Sequence, residues 1–223
     1  MVKIIPAILT NEMDTFEEMV GKCVGKVESV QIDFIDGEYA DNKTLEPSKL
    51  KLSGFEDLKF DAHLMVAPAN LESWIAEAIN AGCTRIFFHI ENIKNIEDFV
   101  GQVKQSGCEV GLAVDLDTKI SEVEPYLKNV DAILVMSVPA GFGGQKFSLA
   151  ALEKIAWLRG KKTEEGLDFA IQDDGGVTVE NIDDSHFVGA DEVVIGRKLF
   201  SGDLAENLEK FQKAAHTLKM PKT

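Results

Sequence analysis

Eight times along this chain a short apolar run is followed by a segment whose apolar residues recur at helical spacing. That alternation restricts the fold more than any other feature. The runs fall at residues 3–9, 29–35, 58–66, 85–90, 109–114, 132–138, 169–172 and 192–195. Helical patterns lie at 15–24, 71–81, 93–106, 120–127, 148–159, 179–187 and 204–218, with Asp14 or Thr15 and Asn70 placed as N-caps and Gly82 and Gly107 as stops. After the second run come a polar loop over residues 38–47 and a short or irregular helical piece near Ser48, and the last few residues are expected to fray. Short apolar strands separated by helices describe a parallel sheet covered by helices. Eight such units in 223 residues fit one closed (β/α)8 TIM barrel over residues 1–223, near the lower end of the usual size. An open doubly wound sheet is the alternative. It would be favoured by a GxGxxG fingerprint after the first strand, and the sequence has none there.

Polar residues interrupt the apolar runs at particular places. In Gln31-Ile-Asp-Phe-Ile-Asp-Gly37, Gln31, Asp33 and Ile35 share one face of a strand, with Ile32 and Phe34 on the other. A carboxylate on a buried face needs a partner. Asp61-Ala-His63 and Asp173-Asp174-Gly175-Gly176 are the segments able to supply one. Gln31 and Asp33, His63 and Met65, His89, Met136 and Ser137, and Asp174 all sit toward the C-terminal ends of strands, where barrel enzymes place their chemistry. Asp33, His63 and Asp174 form an oxygen-and-nitrogen set suited to a divalent metal. Two carboxylates facing each other across a substrate also suit proton removal on one face and return on the other. Structural alternatives stay open: Asp33 held by backbone amides or Lys59, His63 as a satisfied core histidine, Asp174 as a turn residue, and His89 bonded simply to Glu91. His186 and His216 fall in helical context and read as structural or surface residues.

Glycines mark a second feature. Gly143-Gly144, Gly175-Gly176 and Gly196 follow three consecutive strands and can bring backbone N–H groups to one anion. A phosphate held near the last strands is common in this fold. Arg197 either adds a charge-assisted bond to that phosphate or points to solvent.

These segments resemble the ribulose-phosphate 3-epimerase family over nearly the whole chain, from the Pro6 strand to Phe200. Residues 31–37 are similar to its His-x-Asp-x-Met-Asp-Gly segment, Asp61-Ala-His-Leu-Met65 to Asp-x-His-Leu-Met, and Phe88-His-Ile-Glu91 to its His-x-Glu. Residues 135–147 are similar to its long phosphate loop, Asp174-Gly-Gly-Val177 to Asp-Gly-Gly-Ile, and Gly189-Ala-Asp191 with Gly196 to its last motif. The resemblance implies a ribulose-phosphate binding barrel that epimerises D-ribulose 5-phosphate to D-xylulose 5-phosphate at C3 through a cis-enediolate. Asp33 and Asp174 would be its acid/base pair, and Met65 and Met136 would line the reacting centre. One divalent metal (zinc, iron, manganese or cobalt) would be held by Asp33, His63, Asp174 and Gln31, the last through its side-chain oxygen where the family has its first ligand histidine. The phosphate would rest on Gly143, Gly144, Gly175, Gly176, Gly196 and Arg197. By this comparison the chain reads as a divergent member. Ala7, Ile35, residues 38–42, Asp115 and Arg197 also depart from the pattern.

Composition limits the remaining options. With 38 acidic and 23 basic residues the formal charge is -15, against a nucleic-acid partner. Cys23, Cys83 and Cys108 form no CxxC pair, and neither a secretory leader nor a membrane-length apolar run is visible. The expectation is a cytoplasmic homo-oligomer acting on a phosphorylated ketopentose. Two further readings stay open: a related barrel enzyme for another sugar phosphate, without metal, and a non-catalytic phosphosugar-binding barrel.

Overall fold

A computed structural model describes residues 2–91 and 93–217. Its eight strands are β1 (Lys3–Ile8), β2 (Ser29–Ile35), β3 (Lys59–Met65), β4 (Arg85–His89), β5 (Glu109–Val114), β6 (Ala132–Met136), β7 (Ala170–Asp174) and β8 (Glu192–Ile195). Each pairs in parallel with the next, and β8 returns to β1 to close the barrel. The crossovers contain α1 (Met13–Cys23), α2 (Pro68–Ala81), α3 (Ile96–Gln105), α4 (Ala150–Glu165), α5 (Ile182–Val188), α6 (Arg197–Phe200) and α7 (Leu204–Ala215). The (β/α)8 architecture is the one the alternation predicts.

Local differences have local causes. The helix after β3 starts at Pro68, whose missing N–H costs nothing at the first helical position. Asn70 is therefore not its cap, and donates to Asp36 instead. Gly82 ends that helix at φ 107°, as expected. Residues Ile120–Tyr126 form a 3-10 helix rather than an α-helix, with Pro125 inside it removing a backbone donor. The short α6 escapes a periodicity argument because four residues make barely one turn. The predicted end of the last helix, Leu218, lies outside the described residues.

The strands are buried on both faces. Ile32, Phe34, Ala62, Leu64, Ile86, Phe88, Leu112, Ile133 and Ile171 pack outward under the helices. Inside the barrel, Phe87, Ala113, Ala132, Leu134 and Met136 form a separate cluster. Phe87 fits there because its register partner is Gly111, where a Cβ would sit 2.1 Å from the Phe87 ring. The period of two thus divides β2 as predicted, with Ile32 and Phe34 outside and Gln31 and Asp33 directed inward.

The two ends of the barrel interior are both polar. At the N-terminal ends of the strands, buried Arg85 bonds Asp61 at 2.5 Å and Glu192 at 2.7 Å, and Gln172 donates to Glu192. Lys3 also lies near Glu192, and Lys3, Asp61, Arg85 and Glu192 line a cavity of about 400 Å³. The C-terminal ends carry the second polar layer.

Candidate active site

Strand register brings the C-terminal layer together. Asp33 pairs with His63 across β2 and β3, Ile35 with Met65, and Met136 with Asp174 across β6 and β7. The side chains converge accordingly. His63 Nδ1 lies 3.2 Å from Asp33 Oδ1 and 3.5 Å from Asp174 Oδ2. One ligand atom each from Asp33, His63 and Asp174 lies within 4.8 Å of the others. Among the described residues, His63 is the only ion-pair partner of either carboxylate. Lys59, considered above as a partner for Asp33, is exposed at the opposite end of β3.

This crowding sets the electrostatics. Burial raises the Asp33 pKa, the hydrogen bond from His63 opposes that, and the charge of Asp174 adds to it. Burial pushes the His63 imidazole down, but the hydrogen bonds to Asp174 and Asp33 and their charges outweigh it and hold it up at about 9. Two carboxylates converge on one imidazole nitrogen, which becomes a third acceptor once it loses its proton. That donor set, two oxygens and a nitrogen, suits a divalent metal, and Asp33, His63 and Asp174 make a potential site for one.

Two side chains support His63 from behind. Its Nε2 lies 3.0 Å from His89 Nε2, and His89 Nδ1 lies 3.2 Å from Glu91 Oε2. Burial pushes His89 down, with the Glu91 hydrogen bond opposing. Burial pushes Glu91 up, but the hydrogen bond from His89 and its charge help to hold it down at about 2. Tyr39, in the loop after β2, reaches Glu91 through its hydroxyl at 3.4 Å and packs on the His89 ring. The sequence named the His89–Glu91 contact as a simple pairing, but its direct link to His63 requires the closed barrel.

The neighbouring acids have other partners. Asp173 faces outward, where Ser137 and Ser185 donate to it. Burial raises its pKa to about 7 against those bonds. Asp36 accepts from the backbone N–H groups of Glu38 (2.8 Å), Tyr39 (2.9 Å) and Ala67 (2.8 Å) and from Asn70 Nδ2 (3.1 Å). It thereby holds the loop after β2 against the start of α2. From that loop, Asn42 donates to the Gly141 carbonyl at 2.7 Å, joining it to the loop after β6.

The glycine segments also meet. A Cβ on Gly176 would lie 2.5 Å from Phe147 N, and one on Gly175 2.6 Å from Val138 Cγ2, so the loops after β6 and β7 are in close contact. Gly176 has φ +65°, a conformation that other residues rarely adopt. Arg197 crosses from the end of β8 and donates to the Gly143 carbonyl at 2.7 Å. A Cβ on Gly144 would meet the Arg197 guanidinium. Gly196 caps the N-terminus of α6. The exposed arginine therefore braces the loop after β6 rather than projecting freely into solvent.

The ribulose-phosphate 3 epimerase family pattern matches residues 3–200. The chain belongs to this family. It is 33% identical over 200 residues to the ribulose-phosphate 3-epimerase of Escherichia coli (strain K12), covering 88% of each chain. It is 33% identical over 183 residues to the ribulose-phosphate 3-epimerase of Treponema pallidum (strain Nichols), covering 81% of this chain and 83% of the relative. Membership makes the chain an enzyme of the epimerase class. Solved structures show the same fold. A 3-hexulose-6-phosphate synthase superposes with a TM-score of 0.67 at 17% identity, covering 96% of this chain and 99% of the other. Orotidine 5'-phosphate decarboxylase from Pyrococcus horikoshii OT3 gives 0.67 at 14% identity, covering 96% and 100%.

The match and the geometry overturn the reading of a divergent member with its metal site altered at Gln31. The Asp33–His63–Asp174 triad is intact within a family-matched chain. Gln31 does not replace a missing ligand, because it presents a donor to the cluster. Its Nε2 lies 2.9 Å from Asp33 Oδ1, 2.7 Å from Asp174 Oδ2 and 3.3 Å from His63 Nδ1. Its Oε1 is buried with no hydrogen-bond partner among the described residues. The expectation of a ligating glutamine oxygen overlooked that neighbouring carboxylates attract the nitrogen end of an amide. No described helix is long and apolar enough to cross a membrane.

Proposed function

We propose that the chain interconverts D-ribulose 5-phosphate and D-xylulose 5-phosphate by inverting C3. The observation that carries this reading is the convergence of two carboxylates, Asp33 and Asp174, on one point at the barrel mouth, both beside His63. They come from β2 and β7, well separated around the barrel, so a bound sugar can present opposite faces of C3 to them. One carboxylate takes the C3 proton and the other returns a proton to the opposite face of the planar enediolate. Met65 and Met136, both buried, give the reacting carbon an apolar boundary that limits water access.

Asp33, His63 and Asp174 are the residues that would hold the divalent metal; bound there, it supplies positive charge for the substrate oxygens as they become negative. Backbone N–H groups of Gly143, Gly144, Gly175, Gly176 and Gly196 are the proposed phosphate cradle. Arg197 keeps N–H donors beyond the one bonded to Gly143, and these serve the same anion.

The reaction can be followed in deuterium oxide with ribulose 5-phosphate, with and without added zinc, iron, manganese or cobalt. The expected result is xylulose 5-phosphate carrying solvent deuterium at C3. Neither product nor exchange with any of the metals would contradict this function.

A further inference from the structure

Buried His89 and half-buried Glu91 have no part in the mechanism above, yet they reach the one imidazole at its centre. Glu91 is fixed on both oxygens: Oε1 accepts from Asp115 N at 2.8 Å, and Oε2 faces His89 Nδ1 at 3.2 Å. An ionised carboxylate only accepts, so His89 must carry a proton on Nδ1. In neutral His89 that leaves Nε2 as a lone pair. The lone pair points at His63 Nε2, 3.0 Å away, with the two rings inclined by only 22°. His63 must therefore donate through Nε2, and its Nδ1 is the nitrogen left to face Asp33 and Asp174.

We propose that His89 and Glu91 are positioning residues: they fix the ring orientation of His63 and keep a proton on its Nε2, so that Nδ1, which donates to the two carboxylates while no metal is bound, is the nitrogen that gives up its proton to leave a lone pair for a metal. This rests on the metal-site reading of Asp33, His63 and Asp174. The direction of each hydrogen bond follows from the one behind it, starting at a group that cannot donate. Without Glu91, His89 is free to place its proton on Nε2. His63 Nε2 would then become the acceptor, with its own proton on Nδ1. That proton would occupy the position a metal needs. Outer partners of this kind typically change metal affinity about 10- to 100-fold.

Two readouts test the relay without measuring turnover. Long-range proton–nitrogen NMR of the histidine rings in the metal-free protein should show neutral His89 protonated on Nδ1, with His63 protonated on Nε2. A His89 proton on Nε2 overturns the proposal. The second readout is zinc affinity, measured against a fluorescent chelator. His89→Leu and Glu91→Ala should each weaken it about 10- to 100-fold. His89→Gln should recover much of the loss, because its amide can donate to Glu91 and accept from His63. Unchanged affinity in folded His89→Leu overturns the proposal. If that variant fails to fold, the NMR result on the unaltered protein decides. A chain that binds no zinc and epimerises no ribulose 5-phosphate removes the site reading and the relay together. A chain that does both, with His89 protonated on Nε2, removes the relay alone.

Discussion

The two ends of the barrel interior use similar residues to opposite effect. At the N-terminal ends of the strands, Asp61 and Glu192 share Arg85, with Lys3 nearby. The negative charges there are matched by fixed positive ones. At the C-terminal ends, Asp33 and Asp174 share only an imidazole and the amide of Gln31. A buried acid without a cation is costly, and two together cost more. The first end is therefore a locked structural layer. The second holds unmatched negative charge poised for a cation and a proton. The difference lies in the missing arginine rather than in the acids.

The largest expected effect comes from the mouth. Asp174→Asn should reduce epimerisation at least 1,000-fold, about 4 kcal/mol of barrier, while leaving thermal stability equal or higher. Steady-state rates and a melting curve on the same sample give both values. A large loss of stability would show that the mouth, too, is a structural lock. Arg85→Met should do the reverse. It strands Asp61 and Glu192, and should lower unfolding stability by about 3 kcal/mol in urea while the folded protein keeps its rate. A normal midpoint would break the contrast from the other side.

Smaller effects test the parts around the mouth. Gly176→Ala places a Cβ against Phe147 N in a left-handed conformation. It should raise KM for the sugar phosphate about 10-fold with a smaller change in kcat, because the loop supplies the proposed phosphate contacts. Asp36→Ala should cost about 1–3 kcal/mol through lost hydrogen bonds. Burial opposes those bonds but does not prevent them from holding the Asp36 carboxyl below its usual value. Its contribution to stability is therefore present above the ordinary aspartate pKa and is lost as pH falls through the depressed one. The stability gap between native protein and Asp36→Ala should close in acid, as denaturation at a series of pH values would show.

Much of this arrangement is legible in the sequence, for identifiable reasons. Strand alternation puts Asp33 and His63 inward. The same period separates Asp174, at the mouth, from Asp173, which turns out toward Ser137 and Ser185. Contacts that depend on closure are harder to read. Arg85 and Glu192 are 107 positions apart, and nothing local in either strand announces the pair. The His63–His89 contact also crosses non-identical strand positions, so register alone does not give it. Gln31 departs from expectation for a different reason. Its position near the cluster is clear from the sequence, but which end of the amide faces inward depends on the acceptors already there.

Asp33, His63 and Asp174 at the mouth make a potential site for one divalent cation. Crystals grown with manganese and measured for anomalous scattering test it directly. A single peak bounded by Asp33, His63 and Asp174, lost in His63→Ala, is the predicted result. A well-ordered mouth with no peak there at saturating manganese, or a peak only elsewhere on the protein, would contradict it.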